Sequence, residues 1–125
     1  MRLKESVVLL MAIVISQLSF AGWTKIGSNE DGTEYSLDLT SVEKRDGYVY
    51  VWRLSEFLPN TKGLISSKAY EKADCGLKRW KNLETVFLIS KNVGGNETLL
   101  SNQESEWFYP PPDSVLEKMI KTICR

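Results

Sequence analysis

The sequence contains no histidine, the side chain most often used for general acid–base catalysis and for binding metal ions. It has only two cysteines, and they do not form the C-x-x-C pair typical of redox and zinc sites. Acidic and basic residues number 16 each, so no excess of positive charge attracts nucleic acid. These absences predict a protein that is not an enzyme, needs no cofactor or metal, and does not bind nucleic acid.

The longest apolar run, from Val7 to Leu18, is short for a transmembrane helix, which takes about 20 residues. Basic residues precede this run, and Ser19 and Ala21 place small side chains at the two positions that signal peptidase reads. We therefore expect residues 1–21 to be a secretory signal peptide that is cleaved after Ala21, with no membrane insertion of the remaining chain. The alternative is an uncleaved membrane anchor. With cleavage, the product is exported to the periplasm or secreted.

Residues 22–125 are expected to form one domain, with 14 basic and 15 acidic residues. Cys75 and Cys124 both lie in this exported part, where an oxidising compartment favours a disulfide between them. In the chain-entropy model, closing the 49-residue loop between them stabilises the fold by about 4 kcal/mol. The alternative, two free thiols in a redox or metal site, has no supporting motif.

The segment from Tyr48 to Phe57 has the strongest strand signal in the chain. Aromatic and β-branched residues alternate along it, and Asp46-Gly47 before it favours a tight hairpin turn. We predict that it is the central strand of a sheet. The other predicted strands are, in chain order, residues 23–26, 34–38, 64–72, 77–90 and 98–101.

Three segments have less regular patterns. Residues 39–42 are predicted to form a short turn of helix. Residues 64–72 are rich in serine and lysine, which indicates a strand near an edge of the sheet. Residues 77–90 fit either a helix face or a strand, and the glycine-rich turn at 92–96 favours a strand in a hairpin.

The C-terminal segment predicts a helix. Three prolines at 110–112 hold the preceding chain extended, and Ser114 and Glu117 have the spacing of a capping box. Apolar side chains then recur at helical spacing, at Leu116, Met119, Ile120, Ile123 and Cys124. The predicted fold class is therefore α+β: an antiparallel β-sheet of about five or six strands with a C-terminal α-helix packed on it and one disulfide.

Two clusters are candidate binding surfaces. Trp107, Phe108 and Tyr109 lie beside the stiff proline segment and could form an exposed recognition surface, or could instead cover a sheet edge or the helix end. Trp80 lies among Lys78, Arg79 and Lys81, a pattern that fits a basic surface for an acidic partner or a charged strand face around one buried tryptophan.

A catalytic pair is a weaker possibility. Glu104 and Glu106 lie close to Trp107, as the two acids of a glycoside hydrolase lie close to an aromatic sugar platform. Such an enzyme would need one of these carboxylates in a concave pocket. Two glutamates in a polar segment are more typical of a solvated loop.

The order of motifs resembles that of a known family, the bacterial surface-adhesin protein E-like family. The motifs that carry the resemblance are Trp23, Asp31-Gly32, Tyr35-Ser36-Leu37-Asp38, Tyr48-Val49-Tyr50-Val51-Trp52, Ile65-Ser66-Ser67-Lys68, Asp74-Cys75, Pro111 to Ser114, and Ile123-Cys124. The resemblance implies a disulfide-closed sheet with a helix and a non-enzymatic role. The family is named for a surface lipoprotein that binds host matrix proteins, whereas this chain has no lipidation cysteine after its predicted signal peptide.

From the resemblance we expect an exported binding protein whose partner is a protein or glycan of the host matrix, or another extracytoplasmic macromolecule. One alternative is a periplasmic inhibitor of a hydrolase such as lysozyme, which would insert the segment Tyr109–Asp113 into the enzyme cleft. Another is a structural protein of the envelope. The sequence specifies neither a ligand, nor an oligomeric state, nor display on the outer surface.

Overall fold

A computed structural model describes residues 22–58, 63–90 and 95–125. The predicted signal peptide (1–21) and residues 92–94 of the predicted turn lie outside the described residues. The elements are β1 (Thr24–Ser28), β2 (Glu34–Arg45), β3 (Tyr48–Glu56), β4 (Leu64–Asp74), β5 (Arg79–Ser90), β6 (Asn96–Ser101) and α1 (Val115–Ile123). In this part of the chain the six strands form an antiparallel sheet in the order β1 to β6. The predicted fold class is confirmed.

The β2–β3 hairpin has the tight turn that the sequence predicts. Asp46 and Gly47 both have positive φ angles, of 52° and 81°, as the two central residues of a type I′ turn require. Arg45 and Tyr48 pair directly on either side of the turn. The strand that follows it, β3, is an interior strand of the sheet, as predicted.

Strand β2 is longer than predicted, because residues 39–42 do not form a helical turn. They continue the strand through an irregular stretch where the pairing with β3 is interrupted after Asp38. Side chains replace the missing ladder bonds: the Thr40 N–H donates to Asp38 Oδ1 at 3.0 Å, and the Trp52 N–H donates to Ser41 Oγ at 3.0 Å. These polar side chains accept hydrogen bonds from backbone N–H groups that lack a ladder partner, so the strand bulges and does not end.

Strand β4 is an interior strand, between β3 and β5, and the prediction that it lies near an edge was wrong. Its polar residues are compatible with burial because they are small or paired. Ser67 and Glu71 are both buried on one side of the strand. The carboxylate of Glu71 accepts a hydrogen bond from Arg53 Nε on β3, which removes the reason to expect solvent exposure.

Helix α1 packs on one side of the sheet, against β1 and β2. We call this the helix side and the opposite side the outer side. The buried core between helix and sheet consists of Leu37, Val49, Val51, Ala73, Trp80, Val115, Met119, Ile120 and Ile123. Alternation along β3 places Val49, Val51 and Arg53 on the helix side, and Tyr48 and Trp52 on the outer side.

The helix begins with the cap that the sequence predicts. The Glu117 N–H donates to Ser114 Oγ at 3.2 Å, which is the first half of the capping box. The second half is displaced by one residue, because the Glu117 carboxylate accepts from the Asp113 N–H at 3.3 Å.

The predicted disulfide between Cys75 and Cys124 is confirmed. Cys75 follows β4 directly, and Cys124 caps the C-terminus of α1. Their Cα atoms are 5.6 Å apart, within the usual range for a disulfide. The bond therefore ties the end of the helix to the end of an interior strand.

Candidate functional site

The segment that carries Trp107 and Phe108 extends the sheet alongside β5. The N–H of each of Trp80 and Phe108 donates to the carbonyl oxygen of the other at 2.8 Å. Because successive side chains of an extended chain point to opposite sides, Trp107 lies on the outer side and Phe108 on the helix side. The structure therefore separates these two predicted surface residues, while Tyr109 is exposed and its hydroxyl interacts with Arg79.

Aromatic rings cover the outer side of β3 and β4. Trp52 pairs with Tyr70 across the two strands, and their ring centroids are 5.1 Å apart. The rings of Tyr50 and Tyr70 stack at 5.9 Å, and those of Tyr48 and Trp107 at 5.8 Å. Offset packing at these distances is favourable, so each ring restricts the positions of its neighbours.

Cations surround the ring of Trp107. The guanidinium carbon of Arg79 lies 4.1 Å from its centroid, and the ammonium nitrogens of Lys81 and Lys72 lie at 5.3 and 5.8 Å. The Lys72 ammonium is also 4.0 Å from the ring centroid of Tyr48. Each such cation–π contact contributes about 0.5–1 kcal/mol at a partly exposed site.

A fourth cation, on the neighbouring strand β2, completes the cluster on the outer side of the sheet. The guanidinium of Arg45 lies 3.8 Å from the ring centroid of Tyr50, and its Nη2 donates to the Tyr70 hydroxyl at 2.8 Å. We call the whole cluster the cation–aromatic face. It consists of Arg45, Tyr48, Tyr50, Trp52, Tyr70, Lys72, Arg79, Lys81 and Trp107.

Positive charge on this face is only partly neutralised. Arg45 pairs with Glu43 at 3.1 Å, Arg79 with Asp74 at 2.9 Å and Lys81 with Glu104 at 3.4 Å. Within the described residues, Lys72 has no carboxylate within ion-pair distance. Lys72 therefore contributes a positive charge without a close counter-ion, which favours a partner that carries negative groups.

Asp74 positions Arg79 beside Trp107. Its pKa is lowered below the ordinary value, first because the Leu77 N–H donates to Asp74 Oδ1 at 3.1 Å, and also because Arg79 Nε donates to Oδ2 at 2.9 Å. A carboxylate whose pKa is depressed on folding stabilises the fold above its unfolded pKa, and this stability is lost as the pH falls through the folded pKa.

Replacing Asp74 with Asn is expected to lower the free energy of unfolding by about 1 kcal/mol at neutral pH, because hydrogen bonds to a charged acceptor are lost. The difference in the free energy of unfolding between this variant and the wild type should shrink as the pH falls below 3.8, the pKa of an Asp carboxyl in the unfolded chain. Urea unfolding at a series of pH values measures both effects. Asp46→Asn, in an exposed turn, is the control, and parallel pH profiles for Asp74→Asn and wild type would contradict the assignment.

The glutamates considered for glycoside hydrolysis are both exposed. The Glu104 side chain is 59% exposed and pairs with Lys81, and Glu106 is also open to solvent. Neither lines the cavity to which the neighbouring Ser105 and Phe108 contribute. Within residues 22–58, 63–90 and 95–125, no three Cys, Asp or Glu side chains converge to hold a metal ion.

Together the fold and the face define a class: a small, disulfide-bonded sheet-and-helix domain with an aromatic and cationic surface on the side of the sheet opposite the helix. A family model described as surface-adhesin protein E matches residues 23–125. The chain belongs to this family, and the predicted resemblance is confirmed. The comparison with curated proteins finds none that matches.

Solved structures of Haemophilus influenzae protein E have the same fold. Crystal form II superposes with a TM-score of 0.59 at 16% identity, covering 83% of this chain and 87% of that chain. Protein E from non-typeable Haemophilus influenzae superposes with a TM-score of 0.55 at 16% identity, covering 83% of this chain and 76% of that chain. Membership of a surface-adhesin family supports an exported binding protein and not an enzyme. The described residues include no helix long and apolar enough to cross a membrane.

Sequence reasoning found single members of the face but not the face itself. Trp80 is buried, with 3% of its surface exposed, while Arg79 and Lys81 flank it and point outward to Trp107. This matches the prediction of a charged strand face around one buried tryptophan. The missing signal was long-range: Trp107 reaches Tyr48 only because its segment pairs with β5.

Proposed function

We propose that this protein is an exported adhesin that binds an acidic macromolecular partner outside the cell through the cation–aromatic face. The observation that carries the proposal is the ring of Trp107, which stacks on Tyr48 and is surrounded by Lys72, Arg79 and Lys81. Tryptophan, tyrosine and arginine are the residue types that most often dominate binding energy at interfaces. Membership of the surface-adhesin protein E family supports the same role.

The rigidity of the face favours tight binding. Most of its aromatic side chains project from the interior strands β3 and β4, and contacts to neighbouring rings and cations restrict these rings and that of Trp107. Little conformational entropy is then lost when a partner binds. The uncompensated ammonium of Lys72 favours a partner with carboxylate or sulfate groups, and such attraction raises the association rate and weakens with salt.

Export remains part of this proposal. Residues 1–21 serve as the signal peptide, and residues 22–125 are the adhesin domain. The start of the family match at residue 23 supports this division, because the matched region begins just after the predicted cleavage site.

Replacing Trp107 with Ala is expected to weaken binding to an immobilised extracellular-matrix preparation about 30-fold, which corresponds to about 2 kcal/mol at a binding hot spot. The substitution removes the aromatic ring that the three cations surround. Binding of the purified residues 22–125, followed by surface plasmon resonance at several salt concentrations, measures it. Trp23→Ala is the matched control, because Trp23 is also partly exposed but lies outside the face.

Equal losses in the two tryptophan variants, or no saturable binding by the wild type, would contradict the proposal. The alternative of a hydrolase inhibitor stays a prediction and is separated by an assay of lysozyme inhibition. That alternative requires Tyr109→Ala to abolish inhibition, whereas adhesion through the cation–aromatic face requires Trp107.

A further inference from the structure

A cavity of about 490 Å³ lies on the helix side of the sheet, where the N-terminus of α1 leaves the strands uncovered. It is separated from the cation–aromatic face by the thickness of the sheet. Its lining includes Tyr35, Arg53, Glu71, Trp80, Asn82 and Phe108. Sites for small ligands have this size and this combination of aromatic walls with a few polar groups.

The cavity has no net charge. Its charged lining residues are Arg53 and Glu71, whose side chains are 15% and 4% exposed and form an ion pair. Burial raises the pKa of Glu71 above its ordinary value, against the opposing effects of Arg53 and of the nearby Trp80 N–H. Because the two charges cancel, the lining does not compensate a net charge on a ligand.

Two polar atoms of the lining lack partners. Among the described residues, the buried side-chain atoms with no hydrogen-bond partner are Trp80 Nε1 and Asn82 Oδ1. The Trp80 N–H is near the Glu71 carboxylate but outside hydrogen-bond geometry. Both residues lie on the helix side of β5, two positions apart, where Ala73 and Glu71 are their partners on β4.

These two atoms need hydrogen-bond partners of opposite kinds. Nε1 is a donor and Oδ1 is an acceptor, and a hydroxyl group can accept from the first and donate to the second. Leaving such groups buried and unpaired costs about 1–3 kcal/mol each. Water could fill the role, but one water takes about 30 Å³, so the cavity is much larger than a single bridging water requires.

We propose that this cavity binds one neutral sugar unit. Ring hydroxyls supply both donors and acceptors for Asn82 and Trp80, and the apolar face of a sugar ring packs on aromatic side chains such as Phe108. The cancelled charges of Arg53 and Glu71 favour a neutral sugar over an acidic or amino sugar. This site is independent of the cation–aromatic face, which lies on the other side of the sheet.

The test follows the indole N–H signal of Trp80 in ¹H–¹⁵N spectra of residues 22–125. Methyl glycosides of galactose, glucose and mannose are titrated, with glucuronic acid and glucosamine as charged counterparts. A saturable shift of the Trp80 signal with at least one neutral sugar, and weaker binding of both charged sugars, is the expected result. No saturable shift with any neutral sugar, or tighter binding of a charged one, would overturn the proposal.

Variants locate the ligand. Asn82→Ala is expected to lower the affinity for the sugar about tenfold, because a hydrogen-bond acceptor is lost. Asn96→Ala, exposed on β6, is the control and should bind as the wild type does. Asn82 Nδ2 also donates to Thr85 Oγ1 at 2.7 Å, so Asn82→Ala could fold poorly. Phe108→Ala is therefore a second variant, because Phe108 is an exposed residue of the cavity wall. Unchanged affinity in folded Asn82→Ala and Phe108→Ala would place the sugar elsewhere and refute the site.

Discussion

Replacing both Cys75 and Cys124 with Ser is expected to lower the free energy of unfolding by about 2–5 kcal/mol. The bond closes a 49-residue loop, and without it the unfolded chain gains the conformational freedom of that loop. Helix α1 has nine residues, which is too short to be stable alone, so it depends on its packing against the sheet and on this bond. Guanidinium unfolding followed by circular dichroism measures the loss.

The native cross-link supplies the control for this experiment. A reductant should shift the unfolding midpoint of the wild type toward that of the double variant and leave the double variant unchanged. The slope of free energy against denaturant also reports whether the helix has detached before the main transition. A midpoint in the wild type that does not respond to reduction would mean that the sheet and helix hold together without the bond.

The local elements of this fold could be predicted from sequence because their signals are local. Alternation of aromatic and β-branched residues marks β3, and the two-residue turn at Asp46-Gly47 fixes its pairing with β2. The cap at Ser114 marks the start of α1. Each of these signals needs only neighbours in the chain, so none depends on the tertiary structure.

The errors arose where a distant partner decides the outcome. The serine-rich β4 is an interior strand because Arg53 of β3 neutralises Glu71, and nothing near Glu71 in the sequence indicates this pairing. Residues 39–42 stay extended because Ser41 bonds to the backbone of Trp52, 11 residues away. Tertiary contacts of this kind override local preference.

The candidate sites could be predicted only in part, for the same reason. The sequence shows Trp107 and Phe108 as neighbours, and only the pairing of their segment with β5 places them on opposite sides of the sheet. The cavity needs side chains from four strands and the helix, so its lining residues are scattered between Asn29 and Met119 in the sequence. No local pattern marks such a set.

Replacing either Arg53 or Glu71 alone is expected to destabilise the protein by about 3–5 kcal/mol, because each change leaves the other charge buried and unpaired. The Arg53→Met/Glu71→Leu double variant should recover most of that loss, since both charges are then absent. Urea unfolding of the four proteins forms a double-mutant cycle that isolates the coupling between the two residues. The same cycle on the exposed pair Lys25–Glu34 is the control and should give less than about 1 kcal/mol.

The two single variants should also differ in their pH dependence. Burial already raises the pKa of Glu71, opposed by Arg53, so Arg53→Met raises it further. Since the folded pKa then lies above the unfolded value, the folded state holds the proton more tightly, and Arg53→Met loses stability as the pH rises through that range. Glu71→Leu should lack this dependence, because an arginine does not give up its proton in this range. Parallel pH profiles for the two variants, or single losses that simply add in the double variant, would mean that Arg53 and Glu71 do not act as a buried pair.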